Sequence, residues 1–133
     1  MQSKKENLIV DLTFQFAVDL IEFSELLESM KKYVIAKQLL RSGTSIGASV
    51  REAQNAESKL DFIHKMKIAA KEADETEYWL LLCKQAKSYP ENEKLLENVG
   101  SIVKVLSKIT GSSKEKNKIN LQIDTLSNHQ IKN

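Results

Sequence analysis

Turn-forming residues are scarce in this sequence, with four glycines and one proline among 133 residues. That scarcity disfavours β-rich folds, which need many tight turns, and favours long uninterrupted helices. One cysteine, Cys83, excludes an internal disulfide framework and any multi-cysteine metal site. Its setting, Trp79-Leu80-Leu81-Leu82-Cys83, is apolar and suits a small buried hydrophobe. The two histidines, His64 and His129, have no cysteine or other histidine at metal-ligand spacing, so no metal or cofactor is expected. No apolar run approaches the roughly 20 residues of a membrane span. The stretch from Met1 to Glu6 is too polar for a secretory signal. A cytoplasmic protein with no membrane association is the expectation.

What is present is ordinary for one folded domain: 41% hydrophobic and 29% charged residues. The net charge of +2 implies no partner by itself, but its distribution is uneven. Through Gly111 the chain carries 16 basic and 16 acidic residues, leaving the excess in the C-terminal tail. Asp11, Asp19, Glu22, Glu25 and Glu28 make the first helical segment acidic. Lys31 to Lys71 then holds nine basic residues against three acids. Such polarity suits an anionic partner, or subunits aligned with opposite faces meeting.

Four amphipathic segments follow one another. The first, about 7–30, places Leu12, Phe16, Leu20, Phe23, Leu27 and Met30 on one stripe at spacings of three and four. Ser3 with Glu6 offers a capping box, and Lys31 and Lys32 suit the negative end of the dipole. Phe14, Val18 and Ile21 lie off the stripe, so this helix is expected to contact more than one neighbour. The second, about 33–56, carries Ala36, Leu39, Gly43, Ile46, Val50 and Ala53 on one face. The third, about 59–87, opens with Ser58 and Asp61 as a capping box. Its stripe of Phe62, Met66, Ala69, Ala73, Thr76, Leu80 and Cys83 is coiled-coil-like. The fourth, about 90–110, starts at Pro90 and Glu91, buries Leu95, Val99, Ile102, Leu106 and Ile109, and stops at Gly111. Short connections between such helices give an all-α, antiparallel up-and-down four-helix bundle over residues 1–113. Residues 114–133 read as a flexible or docking tail, with Ile119, Leu121, Ile123 and Leu126 partly alternating.

The segment Ser42 to Val50 stands out, because seven of its nine residues are Gly, Ala, Ser or Thr. Gly43 and Gly47 each cost roughly 1 kcal/mol of helix propensity against Ala. Close approach of another backbone offsets that loss, so Ser42, Gly43, Ser45 and Gly47 read as a packing seam. Ala69 and Ala73 are the expected opposite side, small against small. A phosphate-binding loop would need a Lys after Gly47 and a strand before Gly43, and neither is present.

Candidate chemistry is thin. Glu72 and Glu75 share a helix face, but a di-iron bundle needs Glu-x-x-His motifs on two helices, and there are none. These acids are expected to satisfy Arg41, Ser42 and Ser45 across the bundle. Ser42 and Ser45 have no histidine general base nearby, which argues against nucleophilic catalysis and against an enzyme. Arg41 and Arg51 are the only arginines and, ten positions apart on a helix, do not align. Tyr78 and Trp79 suit a core or subunit contact more than a base-stacking platform.

Three segments also carry a family resemblance: Gln38-Leu39-Leu40-Arg41-Ser42 with Ser45-Ile46-Gly47, then Glu52-Ala53, then Lys71-Glu72-Ala73-Asp74-Glu75-Thr76-Glu77-Tyr78-Trp79-Leu80. Together they resemble the small bundle proteins encoded within intervening sequences of bacterial large-subunit (23S) ribosomal RNA genes. The similarity covers roughly Phe14 to Leu106. It implies an antiparallel bundle assembling as a homopentameric ring. It also implies kinship with the accessory variability determinant of diversity-generating retroelements, a basic pentameric barrel that engages a reverse transcriptase and nucleic acid. Arg41, Ser45, Glu52, Glu72, Glu75 and Trp79 match family positions and read as structural and assembly determinants. Ser49 stands where the family pattern usually has Asn, and the near-neutral bundle departs from its strongly basic relative.

The leading expectation is a non-enzymatic homo-oligomeric scaffold, pentameric by resemblance, that binds another macromolecule, including a protein partner. The alternative is an RNA- or DNA-binding adaptor on the second and third helices. Its candidate contacts are Lys31, Lys32, Lys37, Arg41, Arg51, Lys59, Lys65, Lys67 and Lys71, and its binding should fall steeply with salt.

Overall fold

The structure, a computed structural model, describes residues 4–111, with side chains described from Leu8 onward. The Ser3–Glu6 capping box and the 114–133 tail lie outside the described residues. Four helices follow in order: α1 (Lys4–Ser29), α2 (Tyr33–Ala53), α3 (Lys59–Gln85) and α4 (Glu93–Thr110). Contacts link α1 with α2, α2 with α3, α3 with α4 and α4 with α1. This cyclic order is the antiparallel up-and-down four-helix bundle, with α1 and α3 on one diagonal and α2 and α4 on the other.

The apolar stripes meet in one core. From α1 it takes Ile9, Phe16, Leu20, Phe23 and Leu27, with Thr13 and Ser24 buried beside them. Leu12 is half-buried, and Met30 is exposed because it lies beyond the end of α1. The α3 stripe is buried from Met66 to Cys83 and the α4 stripe from Leu95 to Leu106. Phe62 and Ile109 pack half-buried against the core at its margin.

Helix ends explain where the boundaries differ from the sequence expectation. The end of α1 is a Schellman turn: the Lys32 N–H donates to Leu27 O (2.8 Å) and the Lys31 N–H to Glu28 O (2.9 Å). Lys31 therefore takes the left-handed conformation, φ 64°, that this turn demands. At α3 the Ser58 hydroxyl accepts from the Asp61 N–H (3.0 Å), while Asp61 Oδ2 accepts from the Glu57 N–H (3.3 Å). α4 begins at Glu93, not at Pro90. Asn92 is its N-cap residue, but the Asn92 amide is buried and donates to Leu80 O (2.9 Å), tying the α3–α4 connection down. α2 and α3 end at Ala53 and Gln85, before the expected residues 56 and 87.

Candidate assembly site

The small-residue seam exists but faces a different neighbour. A Cβ on Gly43 would overlap Leu20 Cδ2, and one on Gly47 would lie 3.3 Å from the Thr13 backbone oxygen. Both glycines thus admit α1. The expected pairing with Ala69 and Ala73 is corrected by helix phase. Gly43 and Gly47 are four apart on the flank of α2 toward α1, whereas Ser42, one residue away, looks toward α3. Ala69 and Ala73 are fully buried in the common core.

On its α3 side, α2 presents a polar clasp. The Arg41 guanidinium pairs with Glu75 through Nη2 and Oε2, and its Nη1 lies 3.6 Å from Glu72 Oε2. The Trp79 indole N–H donates to the same Glu75 Oε2 at 3.0 Å. Glu72 Oε2 is buried and accepts no hydrogen bond, so the neighbouring guanidinium compensates its charge without a bond. Trp79 is half-buried and meets the Tyr78 ring edge-on, with centroids 5.6 Å apart.

Beneath the clasp lies a fully buried hydroxyl pair. Thr76 Oγ1 is 2.8 Å from Ser42 Oγ and 2.7 Å from Glu72 O. A hydroxyl has one proton, so Thr76 donates to the Glu72 carbonyl and Ser42 donates to Thr76. The Ser45 hydroxyl donates to Arg41 O at 2.7 Å. The carboxylates thus serve Arg41 and Trp79, and not Ser42 or Ser45 as the sequence suggests. Thr76 was concealed in sequence by its place in an apolar stripe. Asn92, another buried polar group that the sequence did not single out, had its capping preference before Glu93 as a signal.

The remaining candidates are dispersed. Glu52 is exposed near the end of α2, eleven residues and about 16 Å from Arg41. Arg51 lines a groove between α1 and α2 with Val10, Phe14, Ala17, Thr44, Gly47 and Ala48. Lys31 and Lys32 sit at the α1–α2 connection, where Lys32 Nζ donates to Ser88 Oγ (3.0 Å) and lies 5.1 Å above the Tyr89 ring. Arg51 and Lys59 mark the opposite end of α2, about 30 Å away by helix length. Lys37 is exposed on α2, and Lys67 and Lys71 on α3 with His64; Lys65 is half-buried. Cys83 is buried, and desolvation pushes its thiol from an ordinary 9.0 up to about 11.

The described residues therefore form an all-α bundle around one apolar core, with a polar clasp between α2 and α3 at its surface, and among them no group of histidine, cysteine or carboxylate side chains could hold a metal ion. No helix among them is long and apolar enough to cross a membrane. The chain belongs to the 23S rRNA-intervening sequence protein family, whose model matches residues 5–109. It is similar to a protein of unknown function of the S23 ribosomal protein family from Bacteroides thetaiotaomicron. The two share 41% identity with a TM-score of 0.76, over 81% of this chain and 99% of the other. No curated protein matches the chain.

Proposed function

We propose that this protein is a non-enzymatic scaffold that assembles as a homo-oligomer, a pentameric ring, and binds another macromolecule. The observation that carries the reading is the apolar surface left in water. Phe14 is 63% exposed, Val34 74%, Leu60 82% and Tyr78 56%. Scattered apolar residues are normal on a monomer, but large ones repeated along outer helix faces suit subunit contact. The clasp supports the same role from within. It holds α2 and α3 in fixed register, which makes those outer faces a rigid template. Light scattering on the purified chain tests this. A discrete mass near five times 15.1 kDa is expected, and a monomer at every concentration would end the proposal.

The nucleic-acid alternative draws less support from this arrangement. Arg41 is held by two carboxylates, and the remaining cations divide between the two ends of the bundle and the outer face of α3. Fluorescence anisotropy with a structured RNA and a duplex DNA at low and near-physiological salt separates the readings. Submicromolar, steeply salt-dependent binding would restore the adaptor, and its absence leaves a protein as the partner.

A further inference from the structure

The outer faces of α1 and α3 have complementary chemistry. On α1, Asp11, Phe14, Val18, Ile21, Glu22 and Glu25 recur at spacings of three and four on the side away from the core. Between Leu8 and Met30 the chain has five acids and no basic residue. On α3, Leu60, His64, Lys67, Lys71, Tyr78 and Leu82 form the outer stripe, and each is exposed. Among the described residues, Glu22, Glu25, Lys67 and Lys71 have no ion-pair partner within the protomer. Both stripes combine large apolar side chains with unpaired charge of one sign, opposite on the two faces.

A protomer cannot satisfy these faces itself, because α1 and α3 lie on the diagonal and their outer surfaces point apart. A second copy in the same orientation can. We propose that the subunits join head to tail, the acidic outer face of α1 on one copy seated against the basic outer face of α3 on the next. This rests on the homo-oligomer proposed above and specifies its interface as heterologous. Such interfaces close into rings or propagate as filaments according to the angle between the two surfaces. Phe14 also lines the α1–α2 groove, and Tyr78 abuts Trp79, which is bonded into the clasp with α2. Opposite charge fixes which faces meet, and the apolar residues between supply contact area.

A mixing experiment distinguishes this geometry from any symmetric pairing. The two variants are Glu22→Lys with Glu25→Lys on α1, and Lys67→Glu with Lys71→Glu on α3. All four positions are exposed, so circular dichroism should show both variants folded. Each variant alone should lose the wild-type assembly in light scattering. Mixed one to one, the variants should alternate into assemblies larger than a heterodimer. The basic α1 face of the first meets the acidic α3 face of the second, and the intact α1 face of the second meets the intact α3 face of the first. A symmetric pairing would stop at the heterodimer. All four substitutions in one chain should restore self-assembly with the charges exchanged. Variants that keep the wild-type mass, or a mixture that fails to associate, would overturn the interface while leaving the oligomer standing. A wild-type chain that is itself monomeric would remove both.

Discussion

The indole N–H of Trp79 and the guanidinium of Arg41 converge on one oxygen, Oε2 of Glu75. One carboxylate thereby fixes an aromatic ring on its own helix and a cation on the neighbouring one. Exposed ion pairs contribute little by themselves, and Arg41 is half exposed. The half-buried indole N–H is different, because losing its acceptor leaves a desolvated donor without a partner.

This asymmetry predicts an order of effects. Glu75→Ala should destabilise the fold by about 1–2 kcal/mol, and Arg41→Ala by about 0.5–1 kcal/mol. Glu75→Gln keeps an acceptor for Trp79 but removes the ion pair, so it should fall between wild type and Glu75→Ala. Urea titration of the three variants checks this. Equal damage from Gln and Ala at position 75 would show that the indole bond carries none of the effect.

Two glycines should respond in opposite directions to the same substitution. Alanine gains up to about 1 kcal/mol of helix propensity over glycine. At Gly100 nothing lies within 4 Å of the added Cβ, so Gly100→Ala should stabilise by about 0.5–1 kcal/mol. At Gly43 the methyl meets Leu20 and, at 3.7 Å, Phe16. Overpacking there costs about 1–3 kcal/mol and outweighs the propensity gain. Thermal melts of the two variants should move apart, and a stabilised Gly43→Ala would mean that Leu20 swings aside freely.

The glycines also show where sequence reasoning reached and where it stopped. Period and composition identified four helices, their stripes and the closeness of packing at Gly43 and Gly47, because each is a local property of the chain. Which neighbour the seam admits depends on the phase of α2 within the bundle, a tertiary quantity that no local pattern encodes. The clasp was legible in part for the same reason. Arg41, Glu72 and Glu75 stood out as opposite charges, whereas Thr76 carries its polarity inside an apolar stripe. At Pro90 a strong local signal misled, since the buried Asn92 amide holds the connection extended until α4 can begin.

Cys83 should be sluggish and should make stability depend on pH at the alkaline end. Burial raises its thiol from 9.0 to about 11, so the folded state binds a proton more tightly than the unfolded chain. That contribution is fully present below pH 9 and is lost as pH rises through 11. Unfolding free energy measured in urea should fall across this window, and Cys83→Ala should flatten that part of the curve. At pH 8 the thiolate fraction of the native thiol should be about 100-fold below that of unfolded protein, so its reaction with a disulfide reagent should be markedly slower. Equal rates would show that the site opens readily.

Lys31 offers a stabilising substitution with a stated cause. It is the one non-glycine residue with positive φ among the described residues, at 64°. The left-handed conformation costs an L-residue with a Cβ about 1–2 kcal/mol, and glycine escapes most of that at the expense of a more flexible unfolded chain. The two hydrogen bonds of the Schellman turn use backbone N–H groups only, so glycine keeps both. The side chain is exposed and has no ion-pair partner among the described residues. Lys31→Gly should therefore stabilise by about 0.5–1 kcal/mol, read as a shift in the urea midpoint with an unchanged slope. Lys31→Val should do the reverse, because branching at Cβ worsens the same clash. If both variants destabilise alike, the lysine side chain itself, and not the backbone conformation, is what this turn requires.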